Sequence, residues 1–228
     1  MPLQNTVLIP ISVEPPPPPP GAEAAHEDFA FEEARPEREL PIPRVAQRED
    51  AWCYAACSEM IINYSHGQQQ VVDQCNVASF VKAPPGTAGC CGAGAPAVCT
   101  DRGCKLQDFP RIFDRFGLEF EPNIDTGTGD PDDLILGRIT IGKMREELEA
   151  DLLDPDDVAR PVLVIVDWDD EDGSHALVVA GIDGQDIFII DSLEDDEYGG
   201  WNDFDYLDSG FHEGEWVKTF PGLKRKGV

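Results

Sequence analysis

Between Trp52 and Tyr64 the residues Trp52, Ala56, Met60 and Tyr64 recur every four positions, with Met60, Ile61 and Ile62 as a bulky cluster. That spacing lines one face of a helix with apolar groups, so it predicts a buried amphipathic helix, with Asp50 as its N-cap. Further helices are expected over 69–81, 106–116 and 143–153. Beyond residue 160 the pattern changes to short β-branched runs separated by turn residues: Pro161 to Asp167, His175 to Ile182 and Asp186 to Asp191. These read as strands of a mostly antiparallel sheet, and Glu215 to Phe220 adds another. Helices first and strands later imply an α+β architecture, with a functional site between the two halves.

The ends of the chain break this pattern. Of 20 prolines, eleven fall in the first 43 residues, and Pro15 to Pro20 form an unbroken run that favours a polyproline II rod. Residues 21–39 are acidic and poor in core formers. Residues 1–43 are therefore expected to be a mostly disordered arm, for which a role as pro-segment or docking peptide stays open. The folded domain is expected over 44–221, followed by a short basic tail over 222–228. Within it, Ala83 to Cys104 is mostly Gly, Ala, Pro and Cys and offers almost nothing to a core.

With 228 residues and 41% hydrophobic content, the chain can build one domain with its own core plus an appendage. Its 45 acidic residues against 17 basic ones leave a formal charge of -28. Such a field repels phosphate backbones and anionic membrane surfaces, which excludes nucleic-acid or membrane binding through a basic patch. It fits a solubilising surface or attraction of basic substrates. No apolar run reaches the roughly 18 residues that a membrane span needs. The first ten residues lack a positive n-region and are broken by proline, so they make a poor signal peptide.

Candidate chemistry enters with Gln47-Arg-Glu-Asp-Ala-Trp-Cys53-Tyr-Ala-Ala-Cys57. Cys53 falls in the first turn of the predicted helix, where unpaired amides and the helix dipole favour a thiolate. Gln47, six residues upstream, can bring a side-chain N–H to a substrate carbonyl oxygen, with the Cys53 backbone N–H as a second donor. Four histidines could act as base. His26 lies in the arm, and His212 in an acidic, glycine-bearing segment. His66 sits 13 residues along the same helix, roughly 20 Å away at 1.5 Å per residue. His175, opening a strand after an acidic turn, remains. Asp191 closes the next strand. A hairpin at Asp183-Gly184-Gln185 brings the two onto one face only if its loop is odd in length or a strand carries a bulge, because one register step inverts every side chain.

Taken together, Gln47, Trp52-Cys53-Tyr54-Ala55-Ala56, Gly173-Ser174-His175-Ala176 and Ile190-Asp191-Ser192 resemble the papain-like cysteine peptidases. The compact bacterial branch, with its bacteriocin-leader peptidases and the effector proteases of plant pathogens, is the most similar. The resemblance covers about 44–193. It implies a papain-like fold and a peptide or protein substrate, with no metal or organic cofactor. A monomer is expected. It also implies that Cys53 is the nucleophile, His175 the base, Asp191 the orienting acid and Gln47 the oxyanion residue. Tyr54 stands where such enzymes commonly carry Trp, and Asp191 where papain itself has Asn. The same site chemistry would serve a deamidase or an acyltransferase. A different class, a disulfide-stapled binding or effector module with an idle site, would make the arm and the acidic surface the working parts.

Six cysteines remain: Cys57, Cys75, Cys90, Cys91, Cys99 and Cys104. Their concentration around an unpacked loop predicts two or three disulfides and favours an extracytoplasmic setting. No CxxC unit supports zinc. The acidic runs 169–172 and 195–197 lack EF-hand spacing and read as solvated loops.

Overall fold

The computed structural model describes residues 38–99, 103–120, 137–149, 158–168, 173–193, 199–211 and 214–227. The arm up to residue 37, the acidic runs 169–172 and 195–197, His26 and His212 lie outside them, as does the expected helix beyond Glu149.

The architecture is α+β. Strand β1 (Arg38–Glu39) is followed by helices α1 (Cys53–Ser65) and α2 (Gln74–Lys82), then by a short 3-10 turn at Ala97–Cys99. Next come α3 (Asp108–Arg115), β2 (Leu118–Phe120), α4 (Ile141–Leu148), β3 (Val162–Trp168), β4 (Ser174–Asp183) and β5 (Asp186–Ile190). The remaining elements are β6 (Gly200–Asp203), α5 (Phe204–Gly210), β7 (Gly214–Phe220) and β8 (Leu223–Arg225). The main sheet has the order β6-β5-β4-β3-β7, with β1 added alongside β4, and every pairing is antiparallel. A second, two-stranded sheet pairs β2 with β8.

Helix α1 is buried at every position from Cys53 to Ile62. It is a core helix rather than the one-sided surface helix that a single apolar stripe describes. Its start departs from expectation: Trp52, not Asp50, is the N-cap, and no side chain caps it. The Trp52 carbonyl accepts from Ala55 and Ala56, and the Trp52 indole donates to the Cys99 carbonyl at 2.6 Å. A buried indole and a tight preceding turn thus begin this helix. Helix α2 starts five residues later than its periodicity suggests. A capping box decides it: Asp73 accepts from the Asn76 amide at 2.8 Å, and the Asn76 side chain accepts from the Asp73 amide at 3.2 Å. The Val71 and Val72 amides instead bond the Asn63 side chain.

Both expected domain boundaries move outward. Leu40 and Ile42 are buried and β1 pairs with β4, so packed structure begins before residue 44. Leu223 is buried and β8 pairs with β2, so the segment after residue 221 is not a free tail. Charged residues at both ends hide these short apolar anchors. Among the described residues, no helix is long and apolar enough to cross a membrane.

Candidate active site

The hairpin between β4 and β5 determines whether His175 and Asp191 can meet. Its turn is the even-length one, Gly184-Gln185, closed by the pair Asp183↔Asp186, with Gly184 at φ 57°. The register then slips between Val179 and Gly181, so Ala180 is an extra residue on β4. Beyond this bulge Val178 pairs with Ile190. Continued one step, that register sets Asp191 across from Leu177, which shares its face with His175. The bulge supplies the odd step that the turn withholds.

The two side chains meet in the interior. His175 Nε2 lies 2.7 Å from Asp191 Oδ1, with the His175 side chain 5% and the Asp191 side chain 1% exposed. Oδ1 also accepts the Leu193 amide at 2.9 Å, while Oδ2 is buried with no hydrogen-bond partner. Cys53 lies near enough to His175 for its thiol to act on the ring's titration. Burial alone would push His175 down, but Asp191 and Cys53 together outweigh burial and raise it to about 9. Burial likewise pushes Asp191 up. The bond from His175, the imidazolium charge, the Leu193 amide and the Arg44 charge together bring it below its ordinary value.

Cys53 opens α1, so its amide precedes the helical ladder, as at any helix start. One turn further, the Cys57 thiol donates to the Ala176 carbonyl at 3.2 Å. That bond joins α1 to β4 immediately beside His175. Cys57 is therefore a thiol rather than a disulfide partner, and burial pushes it well above the usual thiol range. Its place at i+4 from Cys53 is the signal that sequence reading passes over. The crosslinks are Cys75–Cys91 and Cys90–Cys99; Cys104 is a third thiol, also raised by burial.

Gln47 lies beside the same segment. Its amide donates to the Ser192 carbonyl at 2.8 Å, and Ser192 Oγ donates to Gln47 Oε1 at 2.9 Å. Its Nε2 donates to the carbonyls of Asp50 at 2.8 Å and Glu49 at 3.2 Å. Because both of those partners are acceptors, the orientation of the carboxamide is chemically determined. Arg44 completes the seam, with Nε on the Asp191 carbonyl at 2.7 Å and Nη2 on the Leu193 carbonyl. Arg44 and Ser192 escaped sequence reading because their partners lie 145 to 149 residues away along the chain. His66, at the C-cap of α1, bonds the Phe116 carbonyl at 3.0 Å, at the other end of the helix from Cys53. Among the described residues, no group of three or more His, Cys, Asp or Glu side chains could hold a metal ion.

No family profile matches this chain, and no curated protein matches it in sequence. Among solved structures it is similar to the peptidase domain of Streptococcus ComA, a bifunctional ABC transporter of a quorum-sensing pathway. That match has 14% identity over 83% of this chain and 99% of the other, with a TM-score of 0.49. A C39-like peptidase from Bacillus anthracis is similar at 14% identity over 80% of this chain and 96% of the other, TM-score 0.47. So is a double-glycine-motif protease of an AMS/PCAT transporter, solved with its leader peptide, at 14% identity over 82% and 94%, TM-score 0.45.

Proposed function

We propose that this protein is a cysteine peptidase that cleaves peptide bonds through a thioester on Cys53. One observation carries the reading: a buried imidazole held at 2.7 Å by a buried carboxylate and near enough to a thiol at a helix start for that thiol to raise its affinity for a proton. A charged pair taken out of water is costly to keep, and acid–base work on a neighbouring nucleophile accounts for it. The Cys53 sulfur adds to the scissile carbonyl carbon, and the carbonyl electrons move onto oxygen. The Cys53 amide and the Gln47 carboxamide receive that oxyanion, the substrate oxygen displacing the longer of the two Gln47 bonds, at 3.2 Å to Glu49.

His175, cationic at neutral pH, gives its proton to the departing amine as the carbon–nitrogen bond breaks. Neutral His175 then takes a proton from water, which attacks the thioester carbonyl and releases the acid and the thiol. Asp191 keeps the ring oriented and stabilises its cation throughout. One chain supplies all four groups, so a monomer suffices, and the substrate is a peptide or protein strand.

Iodoacetamide labelling followed by peptide mapping tests this reading. Cys53 should react far ahead of Cys57 and Cys104, and lose that advantage in His175→Ala. Cys53→Ala should keep the fold and abolish cleavage of a peptide library. Persistent cleavage, or modification of Cys104 as readily as Cys53, removes the nucleophile assignment.

A further inference from the structure

Gln74 is 1% exposed, at the start of α2, and it serves no residue in the proposed chemistry directly. Its carboxamide instead spans Gln47. Nε2 donates to the Ala46 carbonyl at 2.8 Å, and Oε1 accepts from the Arg48 amide at 3.0 Å. In an extended chain the carbonyl before a residue and the amide after it point to the same side, while that residue's own amide points to the other. Both sides are filled here: Gln74 takes one, and the Ser192 carbonyl takes the Gln47 amide on the other at 2.8 Å. Gln47 is thus paired along both edges like a one-residue central strand, with a side-chain amide standing in for one neighbouring strand.

The clamp is itself fixed. The Gln74 amide donates to Glu59 Oε2 on α1 at 2.9 Å, and the adjacent Cys75 is crosslinked to Cys91. Arg48 Nη1 also reaches Cys75 Sγ at 2.8 Å. A buried carboxamide is tolerated only when its donors and acceptor are paired, and this one is paired to the two peptide groups that flank Gln47.

We infer that Gln74 is the positioning residue that sets the direction of the Gln47 carboxamide, and through it the oxyanion site. This rests on the peptidase reading above. It also makes the α2 end of the crosslinked loop part of the catalytic support.

The test compares two reactions of Cys53 in the full chain. Acylation by p-nitrophenyl acetate passes through an oxyanion; alkylation by iodoacetamide does not. Gln74→Met keeps the volume and buries well, but offers neither bond. It should slow acylation by about 10²-fold, as a misdirected group of this kind does, while alkylation of Cys53 stays as in the unaltered protein. Gln74→Glu, which keeps the acceptor for Arg48 and loses the donor to Ala46, should move acylation alone in the same direction. The double variant Gln47→Ala/Gln74→Met should be no slower than Gln47→Ala, since both act through one group.

Unchanged acylation in Gln74→Met, equal losses in both reactions, or additive losses in the double variant would each overturn the clamp. If Gln47→Ala acylates normally, the oxyanion assignment fails first. If the unaltered protein is not acylated at Cys53 at all, the peptidase reading fails with it.

Discussion

The His175–Asp191 pair titrates away from both ordinary values, and the signs determine a pH window. His175 binds its proton more tightly folded than unfolded, with about 9 against 6.5. Its contribution to stability is therefore complete below about 6.5 and is lost as pH rises through about 9. Asp191 is lowered from 3.8, so its contribution is present above that value and is lost as pH falls through the folded one. Peptide cleavage should accordingly show an alkaline limb with a midpoint near 9, where His175 stops delivering a proton. In Asp191→Ala that limb should shift toward lower pH, because burial then acts on the ring with less opposing charge. A pH–rate profile with the limb in the same place in both proteins would remove Asp191 from its role. The residues proposed for the chemistry were legible: Gln47, Cys53, His175 and Asp191 each stand out by context. Arg44, Gln74 and Ser192 were not, because each bonds a partner contributed by another segment of the chain, and no local pattern marks such a partner.

At the level of elements, periodicity found the four longer strands β3, β4, β5 and β7 and the four helices α1 to α4. It failed where an element is too short to have a period. Strands of two or three residues, such as β1, β2 and β8, exist because a neighbour pairs with them. The boundary of α2 was likewise set by a cap, not by its apolar face. The hairpin is the instructive case: its turn could be read, and the need for an odd step could be stated, but the position of the bulge at Ala180 shows only in the pairing of β4 with β5. The loop after α2 was read as unable to pack, and residues 84–98 are exposed except for Cys90 and half-buried Pro96. Its order comes from Cys75–Cys91 and Cys90–Cys99, which close separations of 16 and 9 residues. Cys90→Ser should lower stability by about 2–3 kcal/mol, chiefly through the unfolded chain. Urea denaturation measures it, and an unchanged midpoint would show the crosslink to be idle.

For the molecule as a whole, charge is the dominant property. A formal charge of -28 opposes compaction by self-repulsion. The screening length falls from about 30 Å at 0.01 M salt to about 3 Å at 1 M, so Tm should climb steadily over that range. A flat or falling Tm would mean that local ion pairs, such as Arg138 with Glu215 at 2.9 Å, outweigh the net field. The exposed stretch tied down by four sulfur atoms has a consequence for the design of variants. Fold specification there is carried by its anchor points rather than by its wording, so the exposed positions between them can be rewritten, except Gly86 and Gly94, at φ 81° and 91°, and Gly89, where a Cβ would lie 2.8 Å from Ser79 Oγ. Libraries grafted between those anchors would sample new surfaces over the entrance of α1, where the Trp52 indole already touches the tether.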